Sequence, residues 1–129
     1  MQPTLTGIGL ITEDVLALAT FYAELLDTTV DGDERFATVK AGGAGLGFFS
    51  MAGMEQMVPG SMAGTGNGRF TIEFSVDDVD ARYQRLVAAG VTIAKPPTTQ
   101  PWGRRSVWIR DPDGNIVNFY QDIPAPSTA

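Results

Sequence analysis

Residues 70–91 read FTIEFSVDDVDARYQRLVAAGV. Phe70, Ile72, Phe74 and Val76 alternate with Thr71, Glu73 and Ser75, the period-two pattern of a half-buried strand. Asp77-Asp78-Val79 then opens a helix carrying Tyr83, Leu86 and Val87, and Gly90 stands where a helix ends in a left-handed residue. The two aspartates read as helix caps, because a carboxylate placed there accepts from the free amides of the first turn. Upstream the same order recurs: a strand from Leu5 to Thr12, then Glu13-Asp14-Val15, then a helix with Leu16, Leu18, Phe21, Tyr22, Leu25 and Leu26. Asp14 and Asp78 lie 64 residues apart, as do Val15 and Val79. A repeat at a fixed interval signals internal duplication.

Three strand candidates follow each helix, near 28–31, 35–41 and 45–51 in the first half and 91–94, 105–110 and 116–121 in the second. Asp111-Pro112-Asp113-Gly114-Asn115 joins the last two as a tight turn, since Pro presets φ and Gly accepts a positive one. Each half therefore reads β-α-β-β-β. The expected organisation is a single domain over 1–129, with one module at about 4–51, a Gly- and Met-rich linker at 52–68, a second module at 69–122 and a flexible tail from 123.

Composition removes several chemistries. The 129 residues contain no Cys and no His, which excludes disulfides, Cys-based zinc, thiol nucleophiles, Ser-His-Asp triads and His-ligated metals. Nine Lys and Arg against fifteen Asp and Glu give a net charge of −6, unfavourable for a phosphate backbone and favourable for cationic partners. Neither nucleic acid nor membrane is expected as a partner, for no apolar run reaches the roughly 18 residues of a membrane span. A cytoplasmic location is expected. Glycine is in excess, at 15 residues, or about 12% against a usual ~7%. Gly60, Gly64, Gly66 and Gly68 fall in the linker and predict mobility there. No strand leads into them, so they do not form a P-loop.

The stretch 70–91, together with QPWGRRSVWIRDPDGNIVNFYQ at 100–121, resembles the second module of the vicinal oxygen chelate superfamily. That superfamily holds glyoxalase I, extradiol dioxygenases, fosfomycin-modifying enzymes and bleomycin resistance proteins. The likeness extends over about 4–122 and is nearest to the bleomycin resistance type. It implies an α+β chain of two βαβββ modules that form a cupped mixed sheet with helices on the outer face. It also implies a divalent metal held on the first and last strand of each module. Those four positions fall here on Gly7, Gly47, Thr71 and Asn118. An oxygen-loving ion needs several strong ligands, normally carboxylates among them. No metal and no cofactor are therefore expected.

Strand alternation around those positions puts Gly7, Gly9 and Ile11 on the inner face with Gly47, Phe49 and Met51, and Thr71, Glu73 and Ser75 with Asn118 and Tyr120. The glycines leave room for a small organic molecule among aromatics and a few polar groups. Trp102, in the Pro/Gly loop Gln100-Pro101-Trp102-Gly103-Arg104, reads either as a stacking wall for an aromatic or cationic ligand or as a lid packed on the neighbouring module. Trp108 reads as packing or as lining. Glu73 reads as a general base, as an anchor for a cation, or as an ion-pair partner of Arg104, Arg105 or Arg110. Met51, Met54, Met57 and Met62 suit an adaptable lid or a dimer seam.

The leading expectation is a metal-independent protein that binds or sequesters an aromatic or cationic compound, in the manner of antibiotic resistance. Its ligand contacts are Phe49, Met51, Thr71, Glu73, Trp102, Arg104, Trp108, Asn118 and Tyr120. The alternatives are a lyase or isomerase working through Glu73 and Tyr120 or a non-standard metal site, and an accessory domain whose cup is filled by its own side chains. Because superfamily members commonly pair, the resemblance implies a homodimer.

Overall fold

The computed structural model describes residues 2–3, 6–66 and 70–124. Leu5, Gly68 and the tail from 125 lie outside the described residues. The chain divides into two compact units, Met1–Thr65 and Gly66–Ala129.

In the first unit β1 (Gly7–Thr12), α1 (Val15–Leu25), β2 (Asp31–Gly32), β3 (Phe36–Ala41) and β4 (Ala44–Ser50) are followed by α2 (Met51–Met57). The second unit has β5 (Thr71–Ser75), α3 (Val79–Ala88), β6 (Thr92–Gln100), β7 (Arg104–Arg110) and β8 (Ile116–Asp122). The sheets run β1-β4-β3-β2 and β5-β8-β7-β6. In each, the first and last strands of the module pair in parallel and the other neighbours are antiparallel. This is the expected α+β arrangement of two βαβββ modules.

The caps that announced the duplication behave alike. The Asp14 carboxylate accepts from the Ala17 amide at 3.1 Å and that of Asp78 from the Ala81 amide at 3.0 Å. Asp111 organises the turn, its Oδ1 accepting from the amides of Asp113 and Asn115 at 2.9 Å each and its Oδ2 from Asn115 Nδ2 at 2.8 Å. Gly114 adopts φ 84° there, a conformation that costs a residue with a Cβ.

One face of each sheet packs on its helix. Leu10, Val39, Leu46 and Phe48 are buried with Val15, Leu18 and Tyr22, and the Tyr22 and Phe48 rings lie 5.4 Å apart. In the second unit Ile72, Val107, Ile109, Val117 and Phe119 are buried with Val79 and Leu86. Arg105 ties α3 to β7: its Nε and Nη2 donate to the Asp80 carboxylate at 2.9 and 2.8 Å, and its Nη1 donates to Thr99 Oγ1 at 3.0 Å.

Three boundaries differ from the sequence reading. The strand expected near 28–31 is only the two-residue β2. β6 runs past the expected end at 94 to Gln100, with register irregularities between Ile93 and Thr98. Pro96 and Pro97 lie in this stretch, and an edge strand accommodates them because it has amides that need no partner. The expected linker opens as α2, which Met51, Met54 and Met57 approach at helical spacing. Ser50 Oγ caps α2 by accepting from the Gly53 amide at 2.8 Å, and the Glu55 carboxylate accepts from the amides of Gly60 at 2.6 Å and Met62 at 3.1 Å. Those contacts order residues 50–62. Met51 accordingly belongs to α2 and does not extend the inner face of β4.

Candidate functional site

The sheet faces turned away from the helices differ between the units. In the first, the register sets Gly7 beside Gly45, Gly9 beside Gly47, and Ile11 beside Phe49. β3 adds Phe36 opposite Phe49 and Thr38 opposite Gly47. A Cβ built on Gly9 or Gly45 would meet nothing within 4 Å, whereas one on Gly47 would reach the Phe36 ring at 3.4 Å. The face is thus bare along its glycines and aromatic where Phe36 and Phe49 meet, ring centroids 5.4 Å apart at 59°.

Beside that aromatic pair lies a cleft of about 600 Å³ lined by Arg35, Phe36, Phe49, Ser50, Ala52, Gly53, Gln56 and Met57. α2 supplies one wall. Gly53 is required where the wall meets the sheet, because a Cβ there would lie 2.7 Å from the capping Ser50 Oγ and 3.4 Å from Phe49 Cε1. Arg35 is anchored through its main chain, its carbonyl accepting from the Ser50 amide at 3.0 Å. The Asp33 carboxylate accepts from the amides of Arg35 at 2.9 Å and Phe36 at 3.3 Å. These backbone donors and, more weakly, the Arg35 charge hold it below the usual aspartate range.

The second unit carries side chains where the first has glycine. Glu73 stands beside Asn118, and Asn118 beside Trp108. Asn118 Nδ2 donates to Glu73 Oε1 across a long 3.4 Å, and Asn118 Oδ1 is buried with no hydrogen-bond partner among the described residues. The Arg104 guanidinium lies 3.7 Å above the centre of the Tyr120 ring, a cation–π contact. It also approaches Glu73 at 3.9 Å and Asp122 at 3.4 Å. Of the three arginines expected as partners of Glu73, only Arg104 approaches it. Arg105 binds Asp80, and Arg110 donates to the Gly114 carbonyl at 2.8 Å.

Thr71, Glu73, Arg104, Trp108, Asn118 and Tyr120 therefore share one sheet face of the second unit, and Phe49 lies on the corresponding face of the first. Trp102 sits in the turn between β6 and β7 with 70% of its surface exposed. The Glu73 side chain is 49% exposed. Arg35, Phe36, Ser50 and Gln56 were absent from the sequence reading of the site, and Met57 entered it only as part of an adaptable lid or a dimer seam. The helical spacing of the three methionines was the available signal, and Gly53 masked it.

The four positions to which the resemblance assigns a metal, Gly7, Gly47, Thr71 and Asn118, offer two glycines, a threonine and an asparagine amide. Among the described residues no three of His, Cys, Asp and Glu gather into a group able to hold a metal ion. The donor set does not fit a divalent cation.

Duplicated βαβββ modules with one bare aromatic sheet face define a chain of the glyoxalase-like class. The family model described as Glyoxalase/Bleomycin resistance protein/Dioxygenase superfamily matches residues 4–119. The chain belongs to that superfamily. It is 27% identical to the uncharacterised protein YraH of Bacillus subtilis (strain 168) over 124 residues, 91% of this chain and 97% of that one. It is 37% identical over 73 residues to the uncharacterised protein Mb0911c of Mycobacterium bovis, a match covering 57% of this chain and 46% of the relative. The crystal structure of a glyoxalase/bleomycin resistance protein/dioxygenase from Nocardioides shares the fold, with a TM-score of 0.81 at 24% identity over 100% of this chain and 89% of that one. Among the described residues no helix is long and apolar enough to cross a membrane.

Proposed function

We propose that the chain is a metal-independent small-molecule-binding protein that takes up and sequesters an aromatic compound, as a resistance protein does. The cleft of the first unit carries this reading. Its volume of about 600 Å³ falls within the range of small-molecule sites, roughly 300–1,000 Å³, and the tilted Phe36–Phe49 pair offers a planar ligand a wall. Its lining contains no Asp, Glu, Lys or Tyr, and its one hydroxyl, of Ser50, is engaged in capping α2. Nothing in the cleft is equipped to move a proton near neutral pH, which favours binding over turnover. In the second unit Glu73 and Tyr120 are both attended by Arg104, which weighs against their use as a catalytic pair. The same reading takes the protein as a cytoplasmic homodimer, and sedimentation velocity tests the dimer.

A thermal-shift panel of planar aromatic compounds tests the function. A ligand present at 100 times its Kd stabilises by about 2.7 kcal/mol, which at ~2.1 cal/mol/K per residue raises Tm by roughly 10 °C in a chain of this length. Phe49→Ala should abolish the shift, and the compound should be recovered chemically unchanged. A folded protein whose Tm no member of the panel moves would contradict the proposal.

A further inference from the structure

We infer that the ligand of this cleft is an aromatic acid, a planar ring bearing a carboxylate or similar oxyanion that pairs with Arg35. The inference rests on the reading that the cleft binds an aromatic molecule, and adds the charge of that molecule. Arg35 is the one ionisable residue in the lining; the nearby Asp33 carboxylate, outside the lining, feels its charge and accepts from the Arg35 and Phe36 amides. Among the described residues its guanidinium makes no hydrogen bond or ion pair, since the contacts of Arg35 with Asp33 and Ser50 use its main chain. It directly precedes Phe36, whose ring forms the aromatic wall with Phe49. A guanidinium presents a planar fork of donors that matches a carboxylate in two parallel hydrogen bonds, and it is weakly hydrated, so it gives up water readily. Gln56 adds a neutral amide and Met57 an adaptable apolar surface to the same cleft.

The net charge of −6 acts in the opposite sense on the approach of a ligand, attracting cations over the whole surface. That field is screened within about 10 Å at 0.1 M salt, so the bound pose is decided by the groups within the cleft. All of these are neutral except Arg35, which makes a cationic ligand the poorest fit there.

The test is isothermal titration of the full chain with three naphthalene probes, 2-naphthoate, 2-naphthamide and 2-naphthylmethylammonium, against the wild type, Arg35→Gln, Arg35→Lys and Phe49→Ala. Naphthoate should bind about tenfold tighter than the amide, with the ammonium weakest. Arg35→Gln should bring the affinity for naphthoate down to that for the amide, and Arg35→Lys should retain part of the preference. The main-chain bond from Ser50 to residue 35 survives either change, and circular dichroism verifies the fold. Equal binding of the three probes, tightest binding of the ammonium, or a naphthoate preference that survives Arg35→Gln would overturn the acid assignment while leaving aromatic binding intact. Failure of every probe to bind the folded wild type would remove the acid assignment together with the underlying reading.

Discussion

Replacing Gly9 with alanine should stabilise the protein, and the same change two residues earlier, at Gly7, should destabilise it. Both glycines lie on β1, face the same side of the sheet and have ordinary strand φ angles. Glycine inside a strand costs about 0.5–1 kcal/mol relative to alanine, because the unfolded chain loses more freedom on folding. At Gly9 a Cβ meets nothing within 4 Å, so the full gain is available. With ~2.1 cal/mol/K of unfolding entropy per residue over 129 residues, that gain is about 2–4 °C in Tm. At Gly7 the added Cβ would lie 3.0 Å from the Gly45 carbonyl oxygen, a backbone atom in the parallel β1–β4 ladder. Strain of this kind costs about 1–3 kcal/mol and exceeds the entropic gain, so Tm should fall by several degrees. Thermal unfolding followed by circular dichroism reads both values. A lower Tm for Gly9→Ala, or an equal rise for both variants, would refute the described register and the openness of the face.

Three further outcomes follow from the packing and the charges. Phe48→Ala removes a fully buried ring packed on Tyr22 and should cost about 3–5 kcal/mol, read as a lower urea midpoint at unchanged slope. Asn118→Leu removes a buried acceptor that has no partner among the described residues, at the loss of one long hydrogen bond. With an unsatisfied buried group costing about 1–3 kcal/mol and a weak bond contributing about 1 or less, the variant should be more stable by about 1 kcal/mol, and a loss of stability would count against this account. Asp80 is held below its ordinary value of 3.8 by the Arg105 hydrogen bonds. Its contribution is therefore present above pH 3.8 and is lost as pH falls through the lowered folded value. Asp80→Asn should flatten the acid side of the stability profile measured by urea unfolding between pH 2 and 5.

The duplication, both helix caps and the Asp111 turn were legible in sequence because each is local. A carboxylate reaches an amide three residues on, and Gly114 answers to the φ of its own residue. Once the resemblance had set Gly7, Gly47, Thr71 and Asn118 on one face, alternation carried Gly9, Phe49 and Glu73 to the same side as the register shows, since a strand repeats every two residues whatever it pairs with. Met51 failed because β4 ends at Ser50, where a side-chain cap begins a helix instead. The weak helix former Gly53 concealed that switch, and its reason for being there, the close approach of Ser50 and Phe49, appears only in three dimensions.

The amino-acid order by itself determined the family and the modular plan, because these depend on which residues are present and at what interval. The cleft depended on tertiary structure. Antiparallel pairing of β3 with β4 sets Phe36 against Phe49, and α2 adds Gln56 and Met57 to the opposite wall. No periodicity records that residues thirteen apart in the chain will share a face with a helix folded beside them. The glycine excess has two meanings that only the folded chain separates: at Gly9 and Gly45 it leaves a sheet face open, and at Gly53 it lets a wall approach closely enough to form the cleft.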